Sequence, residues 1–132
     1  MERILDIAKY LTKKYKDEKK EEIDELKLHK ILYFSQKEYI MLINDFLFEE
    51  DFEGWYLGPI NKLVRKEYKF IKIGKEDISL KDIEKKIIDR VFDRYKDMDS
   101  YKLSNLSHKE YSWIKSRIWV TVLPSKVDCH SV

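Results

Sequence analysis

Apolar residues in the first third of the chain recur mainly at helical spacing. A stripe at intervals of three and four residues predicts a first amphipathic helix over residues 2–15. A wider apolar surface follows Asp24, a residue type favoured at helix N-caps, and ends at Asn44-Asp45. Because this second helix is apolar around much of its circumference, we expect it to lie at the centre of the domain.

Helical spacing returns in the second half of the chain. A stripe over residues 60–68 predicts a short helix, followed by a connector over residues 70–77. Three further helices are predicted because a serine precedes each of three later apolar segments, two of them in a capping-box pattern. The predicted caps of these helices are Ser79, Ser100 and Ser107.

The stretch between the second and third predicted helices has a period of two. Phe46 and Phe48 occupy alternate positions, the segment 52–56 alternates again, and Glu50-Asp51 stands between them as a polar turn. This pattern predicts a small two-stranded β-hairpin, which needs helices to lie against because an isolated hairpin is marginally stable. Gly58-Pro59 is predicted to form a corner, since glycine tolerates positive φ and proline favours the first turn of a helix.

Composition indicates one globular domain with a heavily charged surface. The chain has 132 residues, of which 43% are apolar and 39% charged, enough for a single modest core. The formal net charge of +2 argues against a strong electrostatic attraction to nucleic acid or to an anionic membrane. No apolar run approaches the roughly 20 residues of a spanning helix, and no signal peptide is predicted. The single cysteine cannot form an intramolecular disulfide, so the cytoplasm is the expected compartment.

The sequence shows no pattern that is typical of catalysis or of a cofactor site. Its three histidines have no metal-ligand spacing, and no phosphate-binding glycine loop is present. Cys129-His130 lies in a polar tail without a fixed frame, which disfavours a catalytic dyad. We therefore expect neither an enzyme nor a bound metal or cofactor. Lysines and tyrosines interleave over residues 9–15, which keeps a nucleic-acid-binding face as an alternative hypothesis.

Three segments together resemble the SocA-like antitoxin family of Panacea domains, also known as phage-associated GepA-like proteins. They are LKLHKILYF at residues 26–34, FEGWYLGPI at 52–60 and LSNLSHKEYSW at 103–113. Their order and spacing fit the family over about residues 1–117. The sequence has His29 where the family usually has glutamine, and its residues 118–132 diverge from the family pattern.

The resemblance implies a fold and a function that composition alone does not. It implies a mostly α-helical domain over residues 1–117. The residue pattern predicts about six helices and the small hairpin within it, and it leaves three alternatives for the segment 118–132: a strand, a packed extended segment or a partly disordered tail. Family members act as antitoxins that bind a toxin encoded next to them, and one relative delivers its toxin to a ClpXP-type protease. The alternative from a different class is a small nucleic-acid-binding transcriptional regulator of a phage or mobile element. The oligomeric state is left open.

The sequence suggests two roles for candidate residues, partner contact and support of the fold. Tyrosine, tryptophan and arginine supply most binding hot spots, which favours an aromatic patch around the hairpin. The candidate partner contacts are Tyr33, Tyr56, Leu57, Arg65 and His108. The candidate structural residues are Leu28, Leu32, Trp55, Gly58, Pro59 and Trp113. The two tryptophans are expected to hold the corner against the last helix.

Overall fold

The computed structural model describes residues 3–55, 58–73 and 78–107, which form five helices and one small sheet. The first four helices and the strands are α1 (Arg3–Lys19), α2 (Glu25–Ile43), β1 (Glu53–Trp55), β2 (Gly58–Ile60), α3 (Lys62–Ile73) and α4 (Asp82–Tyr95). Helix α5 follows at residues 100–107. The predicted mostly helical class with a two-stranded hairpin is confirmed. The sixth predicted helix, after Ser107, lies outside the described residues, as does the segment 118–132.

Helix α2 is the centre of the fold, as its wide apolar surface predicted. Twelve of its 19 residues are buried, and Leu28, Ile31 and Leu32 are completely enclosed. The predicted N-cap is confirmed, because the Asp24 side chain accepts a hydrogen bond of 2.8 Å from the Lys27 N–H. It ends at Asn44, whose left-handed conformation at φ 63° closes the helix.

Helices α1 and α4 pack side by side against α2. The Phe34 ring of α2 stacks on Tyr95 of α4 with ring centroids 4.5 Å apart. On the neighbouring side, the Phe92 ring of α4 meets the edge of Tyr15 in α1 at 6.2 Å. These aromatic contacts and the aliphatic residues around them form one continuous core. No helix in the described ranges is long and apolar enough to cross a membrane.

The hairpin lies later in the chain than predicted. Glu53 pairs with Ile60 and Trp55 with Gly58, so the glycine and proline belong to the second strand rather than to a helical corner. The segment 46–48 is not a strand. Its backbone groups are satisfied instead by the Gln36 side chain of α2, which accepts from the Leu47 N–H and donates to the Phe48 carbonyl at 2.7 and 2.6 Å.

Several predicted helix boundaries need correction. Helix α3 continues past residue 68 to Ile73, because the buried Ile71 extends its inner face by one turn. The cap of α4 is Lys81 instead of Ser79, with the Glu84 carboxylate accepting from the Lys81 N–H at 2.9 Å. The cap of α5 is Asp99 instead of Ser100, as its carboxylate accepts from the N–H groups of residues 101 and 102.

Candidate functional site

Polar side chains on one side of α2 hold the hairpin and the start of α3 in place. His29 and Lys30 project from α2 into this region, and both are completely buried. A charged or polar group inside a helix bundle must find a partner, because leaving it unpaired costs about 1–3 kcal/mol or more. Both residues find theirs in the backbone of the chain around β2.

Lys30 anchors the second strand of the hairpin. Its ammonium group donates a hydrogen bond of 2.9 Å to the carbonyl of Pro59, and no carboxylate among the described residues pairs with it. Burial lowers the pKa of Lys30 to about 8, because the charged form has lost its hydration. Proline has no N–H to offer a neighbouring strand, so its carbonyl is the backbone group through which α2 can hold this position.

Gly58 allows α5 and Lys30 to approach the hairpin closely. Its φ of 102° is a conformation that other residues rarely adopt. A Cβ atom at this position would lie 2.8 Å from the Ser107 Oγ, 3.3 Å from the Ser104 carbonyl oxygen and 3.4 Å from the Lys30 Cε. The Ser107 hydroxyl itself donates to the Ser104 carbonyl at 3.0 Å, which fixes the surface that Gly58 meets. The position therefore requires glycine for two independent reasons, backbone conformation and space.

His29 connects α2 to the first residue after β2. Its Nδ1 accepts from the Asn61 N–H at 3.3 Å, so Nε2 carries the proton and donates to Glu25 at 3.1 Å. Burial lowers the pKa of His29 to about 4, against the opposing attraction of the Glu25 carboxylate. The ring is therefore neutral at pH 7 and acts as a fixed acceptor and donor.

Asn61 joins the hairpin to α3. Its side-chain oxygen accepts from the Val64 N–H at 2.9 Å, which caps the first turn of the helix. Its amide nitrogen donates to the Asp51 carbonyl at 2.6 Å. One side chain thus fixes the segment before β1 and the helix after β2.

A family model described as "Antitoxin SocA-like, Panacea domain" matches residues 28–114 of the chain. The chain belongs to the SocA-like antitoxin family. No curated protein and no solved structure matches it. The matched range begins within α2 and includes the hairpin, α3, α4 and α5.

The three segments that carried the SocA-like resemblance meet at one place in this fold, which we call the Gly58 junction. It consists of Lys30 from the first segment, Gly58-Pro59 from the second, and Ser104 and Ser107 from the third. They are far apart in sequence, yet each contacts another directly. In this chain each of the three segments therefore contributes at least one residue that holds the hairpin to α2 or α5.

The structure places the candidate partner contacts in different environments. Tyr33 is 5% exposed and meets the edges of the Phe34 and Phe52 rings, which is a core position. Arg65 is a surface residue, with its side chain 54% exposed and an ion pair of 3.3 Å to Glu25. The predicted contacts Tyr56, Leu57 and His108 lie outside the described residues.

The candidate structural residues are placed as follows. Leu28 and Leu32 are completely buried in the core, as expected. Gly58-Pro59 is buried in the junction just described. The backbone of Trp55 lies in β1, while the predicted packing of its ring and of Trp113 stays a prediction.

His29, Lys30 and Asn61 are site residues that the sequence pattern did not identify. His29 and Lys30 lie within α2, and the available signal was a polar residue inside a helix that is apolar around much of its circumference. Asn61 is the N-cap of α3. The sequence pattern did not identify it as a cap because the helix was predicted to begin one residue earlier, at residue 60.

No cluster of three or more histidine, cysteine, aspartate or glutamate side chains that could hold a metal ion occurs among residues 3–55, 58–73 and 78–107. His29 and Lys30, the two site residues whose pKa is lowered by burial, are fully enclosed by protein. A substrate would have to displace the hairpin to reach them. These buried polar contacts hold the hairpin and the start of α3 in a fixed position.

Proposed function

We propose that this SocA-like domain is an antitoxin that neutralises a partner toxin by direct protein–protein binding. The observation that carries the proposal is the Gly58 junction, which fixes a short hairpin onto a helical frame by specific polar contacts. Protein–protein binding benefits from a surface that is already ordered, because less conformational freedom is lost when the complex forms.

The proposed contact region lies around the hairpin and the start of α3. It includes Tyr56 and Leu57, which separate the two strands in the sequence, and Arg65 in α3. His108, which follows α5, is kept as a candidate contact. Tyr33 is not included, because its burial makes it part of the core.

The lysine–tyrosine face of α1 does not favour the nucleic-acid alternative. Lys14 lies between two carboxylates, at 3.4 Å from Glu18 and 3.7 Å from Asp89. The Tyr10 hydroxyl donates to the same Asp89 at 2.6 Å, and Tyr15 is buried. These side chains are engaged within the protein, so they do not form an open basic and aromatic surface for bases and phosphates.

A growth assay tests the proposed function. The reading frame adjacent to the gene for this chain is expressed from an inducible promoter, with and without the chain. We expect toxicity that this chain relieves, together with co-purification of the two proteins. Relief accompanied by rapid loss of the toxin, and abolished in a host without ClpXP, would instead support delivery to that protease. A harmless neighbour that does not bind the chain would contradict the proposal.

Gly58→Ala tests whether the junction matters for neutralisation. The added Cβ would contact Ser107 and Ser104 and would strain the backbone, so we expect the hairpin to shift and toxin binding to fall at least tenfold. The matched control is Gly54→Ala, an exposed glycine in the other strand of the same hairpin. Equal binding by the two variants would show that the position of β2 does not determine toxin binding.

A further inference from the structure

The positive charge of the chain is concentrated in α3. This helix has the sequence KLVRKEYKFIKI, with five basic residues and one acidic residue. The whole chain contains 27 basic and 25 acidic residues, so the chain without α3 has two more acids than bases. The net charge of +2 therefore originates in this one helix.

Two of the α3 lysines are not engaged by the rest of the described protein. Lys62, Arg65 and Lys72 form ion pairs with Glu53, Glu25 and Glu22, respectively. Lys66 and Lys69 are exposed, and they form no ion pair within the part of the chain that the structure describes. A partner could therefore pair with these two lysines without breaking an ion pair in the described part of the chain.

The same surface carries two large apolar side chains. Phe70 and Ile73 are each 67% exposed, although most apolar residues of the helices are buried. Each of the residues at positions 66, 69, 70 and 73 has another member of the set three or four positions away, so all four share one face of α3. This face lies opposite the buried Val64 and Ile71. Exposed apolar side chains grouped with unpaired cations are a common property of interaction surfaces.

We propose that the outer face of α3, formed by Lys66, Lys69, Phe70 and Ile73, docks an acidic segment of the partner toxin. This inference rests on the proposed antitoxin function and specifies its surface. Carboxylates of the toxin segment pair with the two lysines, and an apolar side chain between them covers Phe70 and Ile73. We favour a protein partner because the face has one aromatic ring, Phe70, beside the aliphatic Ile73, and because two lysines neutralise few phosphates.

The α3 face continues the surface that the hairpin begins. Asn61 caps α3 immediately after β2, and Lys62 pairs with Glu53 of β1 at 3.2 Å. Arg65 lies one turn further along the helix. A toxin that contacts Arg65 and the hairpin would therefore lie close to the α3 face.

Charge reversal tests the α3 face. Lys66→Glu/Lys69→Glu is compared with Lys85→Glu/Lys86→Glu, which makes the same change in charge at two exposed lysines of α4. The probe is the purified toxin identified by the growth assay. We expect the α3 variant to bind it at least tenfold more weakly and the α4 variant to stay within about twofold. Raising the salt concentration should weaken wild-type binding and leave the residual binding of the α3 variant little changed.

The apolar part of the face is tested separately by Phe70→Ala, for which we expect weaker toxin binding with an unchanged melting temperature because the ring is exposed. Wild-type binding that both α3 variants retain would overturn this inference and leave the antitoxin function intact. A wild-type chain that binds no toxin would overturn both. If the charge-reversed variant lost affinity only for a short DNA duplex or for anionic vesicles, the face would belong to that ligand and the inference would be wrong.

Discussion

The two sides of α2 are held by different kinds of contact. Toward α4, the core contacts are mainly apolar and aromatic, as in the stacked rings of Phe34 and Tyr95, and one buried lysine also donates to a backbone carbonyl. Toward the hairpin, apolar contacts are joined by several hydrogen bonds between buried polar side chains and single backbone atoms, as between Lys30 and Pro59. Apolar burial depends mainly on area and has little directionality, whereas a hydrogen bond fixes two atoms at a defined distance and angle. We conclude that the first side supplies most of the stability and that the second side determines where the hairpin lies.

The largest effect is expected from breaking the apolar side. Phe92→Ala removes a fully buried ring that meets Tyr15 edge-on and lies beneath the Lys14 and Lys96 ammonium groups at 5.4 and 5.7 Å. We expect the free energy of unfolding to fall by about 3–5 kcal/mol, measured by urea denaturation. A loss below about 1 kcal/mol would mean that the contact between α1 and α4 is not a main source of stability.

An intermediate effect is expected from the pH dependence of His29. The folded protein holds its pKa at about 4, below the ordinary value of 6.5. Between these two values the unfolded chain binds more protons than the folded one. The contribution of His29 to the free energy of unfolding is therefore fully present above pH 6.5 and is lost as the pH falls toward 4. The shift corresponds to at most about 3 kcal/mol. Unfolding free energies measured from pH 4 to 7 test this expectation.

His29→Gln is the matched control for that titration. Glutamine can accept from the Asn61 N–H and donate to Glu25, but it does not titrate. We expect the variant to lose less stability than the wild type between pH 6.5 and 4. Parallel pH profiles for the two proteins would show that His29 is not protonated on unfolding.

The smallest effect on stability is expected at Lys30. Lys30→Met removes a buried charge whose dehydration costs stability, but it also removes the donor to the Pro59 carbonyl. These two terms have similar size and opposite sign, so the net change at pH 7 should be below about 1 kcal/mol. The hairpin should nevertheless be freer to move. We expect faster amide hydrogen exchange in residues 53–60 and weaker toxin binding, while exchange in α4 stays unchanged. A large loss of global stability would show that this side also supplies stability.

The helices could be predicted from sequence because their signals are local. The cap at Asp24 and the end at Asn44 depend on residues within one turn, and both predictions were correct. The position of the hairpin could not be predicted in the same way. Phe46 and Phe48 have the spacing of a strand, yet the Gln36 side chain takes the hydrogen bonds that a partner strand would have made. Such competition is decided by tertiary contacts that no local pattern contains.

The candidate site was only partly predictable for a related reason. Tyrosine is common at interfaces and in cores alike, so composition did not reveal that Tyr33 is buried. A lysine on a helix is usually solvated, and only the surrounding elements make Lys30 an internal anchor. By contrast, the resemblance to the SocA-like family identified all three segments of the junction, although the sequence did not show that they touch.

The Gly58 junction also has a consequence for protein synthesis. Residues 30, 58 and 107 emerge from the ribosome in that order, and the contacts of Gly58 with Ser104 and Ser107 need the last of them. A nascent chain that has formed α1 to α4 still lacks the α5 residues Ser104 and Ser107, which pack next to Gly58. The support of the hairpin is thus completed only after nearly the whole matched domain has left the ribosome.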